Sequence, residues 1–423
     1  MMRPSGGITA RRQWTIVALL FVVALINYFD RQSLSVVAPR LQAELHLSDV
    51  GYGHIVSLFL FASAIAYALA GFVSDWIGTR RSMALFVGWW SLAEAMTAFA
   101  TNGLQLGITR FCLGLGEPGL WVAAPKAVGE IFEKRRRGLA VGIYTMGATA
   151  GAVVAIPIIA LVTTHLPWRS IFLIDGAVGL LWLPFWFWCY RIDGNSASSV
   201  DGNSSLSKAE AKAETSGDGL RAVLTHPATW KLLIARGMTD PVWYFYLFWF
   251  PKYLLTARHM PLKDLASLGW VVYLAAGIGT ITGGLFSGML IGRGMRVGIA
   301  YRWTMLLSAL LVPLSPLAAL VSNTNVAILI ASVIAFAHMS WLVTLSATVI
   351  DLYPSSQVGR AMGLIAAGSG LGGMISSELI AYIVTHGGYT PVFFLMAFLH
   401  PLAIVLLWKI FIRKQEVPAL SVA

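Results

Sequence analysis

Twelve stretches of this chain are each long and apolar enough to cross a lipid bilayer as a helix, and few folds are open to a chain with so many. A spanning helix needs about 20 mostly apolar residues, since a rise of about 1.5 Å per residue must cover a hydrocarbon core about 30 Å thick. The runs fall near 14–38, 52–74, 82–101, 104–128, 138–162 and 168–190, then near 230–256, 265–291, 299–321, 325–350, 358–384 and 390–412. Inside lipid the backbone amides find no water, so each run must satisfy its own hydrogen bonds, which a helix does. Composition agrees: 57% of the 423 residues are hydrophobic and 12% are charged, against roughly 25% charged in soluble domains. The expected fold is an all-α membrane protein of 12 transmembrane helices.

Residues 14–29 follow Arg11 and Arg12 as a secretory leader would, but no small-residue cleavage site comes after them. Asp30-Arg31 interrupts the apolar run, which then resumes, so this reads as a first, retained helix.

Between the sixth and seventh runs lies 191–229, RIDGNSASSVDGNSSLSKAEAKAETSGDGLRAVLTHPAT, rich in Ser, Gly and Asn. It cannot bury itself and reads as a solvated linker, with a short amphipathic helix expected near 206–225. The chain thus divides into an N-terminal six-helix bundle (1–190), a linker (191–229) and a C-terminal six-helix bundle (230–423). Six spans, a polar linker and six spans is the two-half arrangement of a secondary transporter.

The net charge of +11 would suggest nucleic acid in a soluble protein; here most of the basic residues sit in short loops and orient the helices. The loops holding Arg80, Arg81, Lys134 to Arg137, Arg293, Arg296, Arg302 and Arg360 lie on one side, with the linker and both termini. That side carries roughly 20 Lys and Arg against roughly 5 on the other, which makes it cytoplasmic. Cys112 and Cys189 each lie in an apolar stretch, with neither a disulfide framework nor a zinc spacing. No metal and no organic cofactor is expected.

Charges inside the spans carry the chemistry. A charged side chain at mid-bilayer costs about 2.5–3.5 kcal/mol on insertion scales, so it persists where it faces a water-filled passage or a partner. Asp30, Arg31, Arg110, Glu117 and Arg236 stand out; Glu94, Lys126, Lys231, Asp240 and Glu378 lie nearer span ends or outside any motif. Adjacent helical residues point about 100° apart, so Asp30 and Arg31 need not pair with each other. Arg110 and Glu117, two helical turns apart, share one face of the fourth span.

The stretch GFVSDWIGTRR places Gly71, Asp75, Gly78, Arg80 and Arg81 in the spacing Gly-x-x-x-Asp-x-x-Gly-x-Arg-Arg, and so resembles the signature of the major facilitator superfamily. A small Gly71 lets helices approach, Asp75 at a helix end can pair with an Arg or a neighbouring helix N-terminus, and Gly78 supports the turn. The five read as a conformational latch. In the second half, GGLFSGMLIGR has Gly288 where the acid would stand, so the latch is degraded there. The fifth span, GIYTMGATAGAVVAIP, is similar to the superfamily's glycine-rich fifth helix; Gly142, Gly147, Gly151 and Pro157 are expected to serve packing and bending.

Four stretches bring the resemblance down to the anion:cation symporter family, and within it to the branch that carries hexuronates and related sugar acids. They are NYFDRQSLSVVAP, TRFCLGLGEPGLWVAAPKAVGEIF, ARGMTDPVWYFYLFWFPKYL and FAHMSWLVTLSATVIDLYP. The resemblance implies two pseudo-symmetric six-helix bundles that alternate access to a central site, with a proton-coupling role for the acid of the Arg…Glu-Pro pattern, Glu117, and with Arg110 beside it counted among the substrate-binding residues. From the chemistry, Arg31 is expected to bind the substrate carboxylate, because a guanidinium offers it a bidentate fork. Asp30 is expected to be a second proton-coupling group, since burial and a nearby cation pull a carboxyl in opposite senses.

For the sugar hydroxyls the spans offer Tyr28, Ser63, Tyr67, Trp243, Tyr244, Trp341 and Ser369, together with Tyr246, Ser340 and Thr344. His338 is open between a proton relay, a hydroxyl ligand and a packed histidine. The expected partners are protons, lipid and a small sugar-acid anion, with no nucleic acid. The expected state is a monomer in a bacterial inner membrane, with hexuronate imported by proton symport. Another organic anion (aldonate, aldarate or aromatic acid), an exchanger or exporter, and a non-transporting sensor stay open beside it. The chain has no Ser-His-Asp spacing, no His-Glu-x-x-His, no Gly-x-Ser-x-Gly and no P-loop, which points away from an enzyme or a primary pump.

Overall fold

The computed structural model describes residues 9–132, 134–190, 217–408 and 410. Those residues form helices and short connections, with no strand among them. The first half contains α1 (Ala10–Glu44), α2 (Asp49–Ile77), α3 (Thr79–Thr97), α4 (Gly103–Gly116), α5 (Pro118–Ile131), α6 (Lys134–His165) and α7 (Arg169–Cys189). After α8 (Gly217–Thr225), the second half contains α9 (Pro227–Phe248), α10 (Phe250–Thr256), α11 (Leu262–Leu268), α12 (Val271–Gly292), α13 (Val297–Leu311), α14 (Ser315–Leu320), α15 (Thr324–Leu352), α16 (Ser355–Gly387) and α17 (Thr390–Leu407). Of the amphipathic helix expected near 206–225, residues 217–225 are helical; 206–216 lie outside the described residues.

The extra helices arise where a span breaks. Pro118 begins α5, because a proline lacks the N–H that would continue the ladder. Pro251 near the start of α10 and Pro313 in the turn Val312–Leu314 act in the same way. Joined across these breaks, the helices make twelve spans. Nine of them are long and apolar enough to cross a membrane by length and composition, among the described residues. The segments 79–97, 103–131 and 227–256 are the other three, and they carry Glu94, then Arg110, Glu117, Lys126 and Glu130, then Arg236, Asp240 and Lys252.

Glycine sets the closest helix crossings, and it does so in both halves. A Cβ on Gly147 or Gly151 of α6 would overlap the carbonyls of Phe21 and Leu25 on α1. In the second half a Cβ on Gly368 or Gly372 of α16 would overlap the carbonyls of Leu233 and Gly237 on α9. The packing role expected of Gly147 and Gly151 is thus met, and the second half repeats it between the corresponding spans. The same pairing recurs between α4 and α2 at Gly114, and between α12 and α15 at Gly279 and Gly283. Gly78, after the second span, and Gly294, after the eighth, both take positive φ, 79° and 88°, a conformation that costs other L-residues energy.

Call the end where α7 finishes and α9 starts the linker end, and the opposite one the far end. Near the far end the halves are sealed. The Tyr52 hydroxyl donates to the Phe248 carbonyl at 2.6 Å, Ser57 Oγ donates to the Met374 carbonyl at 3.1 Å, and Asp49 and Lys252 form an ion pair. The Lys252 ammonium also lies 4.9 Å from the Tyr52 ring centroid and 5.2 Å from that of Trp249. Toward the linker end, a Cβ built on Gly71, Gly142, Gly288, Gly359 or Gly363 would meet no described heavy atom within 4 Å. The named contacts between the two halves thus lie toward the far end.

Candidate functional site

The site is built around the middle of α1, which is buried from Phe29 to Ala38. Asp30 and Arg31 diverge there, as the step between adjacent helical residues requires. Arg31 Nε donates to Glu117 Oε2 at 2.6 Å, with the two side chains 7% and 0% exposed. The guanidinium lies 5.2 Å from the Tyr28 ring centroid and 5.5 Å from that of Phe59, within cation–π range of both. Glu117 stands where α4 gives way to Pro118, and the break presents its carboxylate to α1.

Arg110 departs from expectation. It shares the face of Glu117 but sits two turns, about 10.5 Å, away along the axis, and it finds its own partners. Its Nη2 donates to Glu94 Oε2 at 2.7 Å and to Thr97 Oγ1 at 2.9 Å. Its guanidinium lies 5.1 Å from the Phe172 centroid, and the side chain is 2% exposed. It stands as the buried counter-charge of Glu94.

Asp30 points into the same interior. One oxygen each from Asp30, Glu94 and Asp175 lie within 4.8 Å of one another, all three residues buried. Ser33 Oγ donates to Asp175 Oδ2 at 3.4 Å. Oxygen atoms at this spacing could surround a metal ion, though the Arg110 guanidinium already brings one positive charge to the cluster.

Across the interface, α9 contributes Arg236, whose Nε donates to Asp240 Oδ2 at 3.1 Å. At 17% exposed, the Arg236 side chain is more open than that of Arg31. The Tyr244 hydroxyl and Ser369 Oγ are hydrogen-bonded at 2.8 Å. Arg31 with Tyr28 in the first half, and Tyr244–Ser369 and Arg236–Asp240 in the second, are thus the polar groups that each half offers.

The other expected residues have protein partners of their own. Ser63 donates its hydrogen to the Phe59 carbonyl of its own helix at 2.8 Å. Trp341 is a correction: it is 0% exposed and packs with Leu232, Met305 and Leu345 in the apolar interior of the second half. Its ring stands edge-on to His400 at 5.2 Å. His338 also turns inward, its Nδ1 3.2 Å from His400 Nε2, with both residues fully buried. The Trp243 ring is parallel to that of His338 at 6.2 Å and is 6% exposed.

In the stretch Gly71 to Arg81, Gly78 makes the turn with its positive φ. Arg80 Nη2 donates to the Phe187 carbonyl at 2.7 Å and its guanidinium sits 5.3 Å from the Phe187 centroid, while Arg81 is exposed. The Asp75 side chain lies outside the described residues. A neighbour that the motif does not contain holds this corner: Glu130 accepts from the Thr79 and Tyr190 hydroxyls, each at 2.5 Å. Asp175, Glu130, Lys252 and His400 went unread in the sequence. Asp175 and His400 were legible in principle as polar residues inside apolar runs, FLIDGAVGLL and FLMAFLHPLA, whereas the Glu130 and Lys252 contacts depend on tertiary placement.

The sequence matches the family model described as Major Facilitator Superfamily over residues 20–301 and 294–422. It is 26% identical over 423 aligned positions to the hexuronate transporter of Escherichia coli (strain K12), covering 97% of this chain and 96% of that one. It is 29% identical over 278 positions to the galacturonate transporter of Dickeya chrysanthemi, covering 64% and 80%. Among solved structures it resembles a D-xylose-proton symporter at TM-score 0.73 and 15% identity, covering 94% of this chain and 97% of the other.

Proposed function

From the premise that this chain belongs to the Major Facilitator Superfamily, and is a transporter and not an enzyme, we propose that it imports a sugar-acid anion, hexuronate foremost, by proton symport. The relatives named for hexuronate and galacturonate support the substrate class. The single observation that carries the mechanism is the Arg31–Glu117 ion pair. A buried guanidinium stripped of its counter-charge is costly, so Arg31 must face an anion: either the Glu117 carboxylate or a substrate carboxylate. A proton on Glu117 frees Arg31, and the substrate then takes the place of Glu117. Proton and anion therefore load together, which is a coupling free energy between two ligands.

In this reading Tyr28, Tyr67, Tyr244 and Ser369 meet the sugar hydroxyls, with Trp243 and Ser63 at the rim. Asp30 is the second proton-coupling group. Residues 1–190 and 230–423 act as the rocking halves, and the protein works as a monomer. With both termini in the cytoplasm of a bacterium and the chain in its inner membrane, the linker end is the inner end. The arrangement described above is then inward-facing, with Asp49–Lys252 and Tyr52 closing the outer side. Loading both sites removes the reason for the Arg31–Glu117 contact and lets the halves rock.

The test is uptake of labelled galacturonate into proteoliposomes with and without an inward proton gradient. Gradient-driven accumulation is the expected result; uptake that ignores the gradient removes the symport claim.

A further inference from the structure

The first half buries more acid than the Arg31–Glu117 exchange uses. Asp30 on α1, Glu94 on α3 and Asp175 on α7 bring one oxygen each within 4.8 Å of the others. They are 1%, 0% and 5% exposed. Arg110 on α4 is the cation among them, and it is committed to Glu94 at 2.7 Å. Glu94 and Arg110 thus balance each other and leave the two aspartates over. Glu117, the other buried acid facing α1, is paired with Arg31. No donor among the described residues reaches either oxygen of Asp30, and an Asp175 oxygen lies within 4.8 Å of it. Asp175 has the Ser33 hydroxyl at 3.4 Å on its Oδ2.

Carboxylates only accept hydrogen bonds. Two of them within 4.8 Å, out of water and with the nearby cation already neutralised, cannot both stay ionised. A hydrogen between them satisfies one oxygen of each and removes the repulsion, and the pair then titrates as a unit. We propose that Asp30 and Asp175 form a proton-holding acid pair, with Glu94–Arg110 as its fixed neutral wall, so that Asp175 is a coupling residue of the same rank as Asp30. The inference rests on the proton-symport reading above and deepens it: the proton site on α1 is a shared one, spanning α1 and α7. A helix that packs on α1 thereby senses the protonation state. An ionised pair pushes α7 from α1, and a protonated pair draws them together.

The experiment measures the proton-to-substrate ratio from null-point gradients in proteoliposomes, for the full chain and for D30N, D175N, D30N/D175N and E117Q. Galacturonate counterflow, which needs no net proton movement, reports whether each variant is folded and binds. The expected result is the same loss of one proton per substrate in D30N, D175N and the double variant, since either asparagine dissolves the pair and the second adds nothing. A D175N ratio equal to wild type beside a lowered D30N ratio overturns the pair and leaves Asp30 acting alone. Additive losses in the double variant also overturn it, because they mean two independent sites. Wild-type uptake without coupling sinks the symport reading itself, and is told apart by E117Q then matching wild type. If D175N fails in counterflow, infrared spectra of the wild-type protein near neutral pH decide: a protonated-carboxyl carbonyl band that D30N removes supports the pair, and its absence overturns it.

Discussion

Glu117→Gln separates the two jobs of the Arg31–Glu117 pair. The glutamine keeps the shape and a hydrogen-bond acceptor but removes the charge, so it stands in for the protonated acid. In the wild type an incoming carboxylate must displace Glu117 from a 2.6 Å contact between groups that are 7% and 0% exposed. A hydrogen bond to a charged group contributes about 1.5–3 kcal/mol net, so the competing contact weakens substrate binding by about 10- to 100-fold wherever Glu117 is ionised. Wild-type affinity should therefore rise as pH falls and Glu117 takes up its proton. The variant should bind at alkaline pH about 10- to 100-fold more tightly than wild type and should lose this part of the pH dependence. Titration calorimetry with galacturonate across pH reads both effects. In proteoliposomes the same variant should exchange substrate but fail to concentrate it. Accumulation against a gradient by Glu117→Gln, or binding that stays weaker than wild type at alkaline pH, refutes the exchange of partners at Arg31.

Three further outcomes follow from other contacts. Arg31→Lys replaces a fork by a point charge and should weaken galacturonate binding by about 10- to 100-fold, the loss of one charged hydrogen bond, read by the same calorimetry. Asp49→Asn strips Lys252, 3% exposed, of its acid at the far end. A shift of about 1–2 kcal/mol against the sealed state, roughly 5- to 30-fold in population, should show as faster labelling of a cysteine placed at Tyr52; unchanged labelling contradicts the closure role. Gly372→Ala puts a Cβ into the Gly237 carbonyl and should cost about 1–3 kcal/mol as overpacking, seen as a lowered thermal midpoint in detergent. The corresponding Gly363→Ala, with no described atom within 4 Å, should leave that midpoint in place.

The fold was legible because lipid leaves the backbone few options, and the twelve apolar runs map onto the twelve spans with breaks at Pro118, Pro251 and Pro313. The packing glycines were legible in α6 by their spacing. The charged residues of the site were legible as exceptions to apolarity, and Asp30, Arg31 and Glu117 do converge on α1. Partner choice was not legible. Periodicity puts Arg110 and Glu117 on one face, yet only tertiary placement decides that Arg110 takes Glu94 and Arg31 takes Glu117. Nor does spacing tell a tryptophan that lines a passage from one that fills a core, which is why Trp341 was read as a contact and is packing. Asp175 carried the same signal as Glu94, a lone acid in an apolar run, with no motif around it to draw notice.

The exchange of anions at Arg31 has a direct signature in the purified protein. When galacturonate binds near neutral pH in weakly buffered detergent solution, a pH indicator should record protons taken up from the medium as the displaced Glu117 becomes protonated, and Glu117→Gln should take up fewer. Binding of galacturonate by the wild-type protein with no proton uptake would contradict the account.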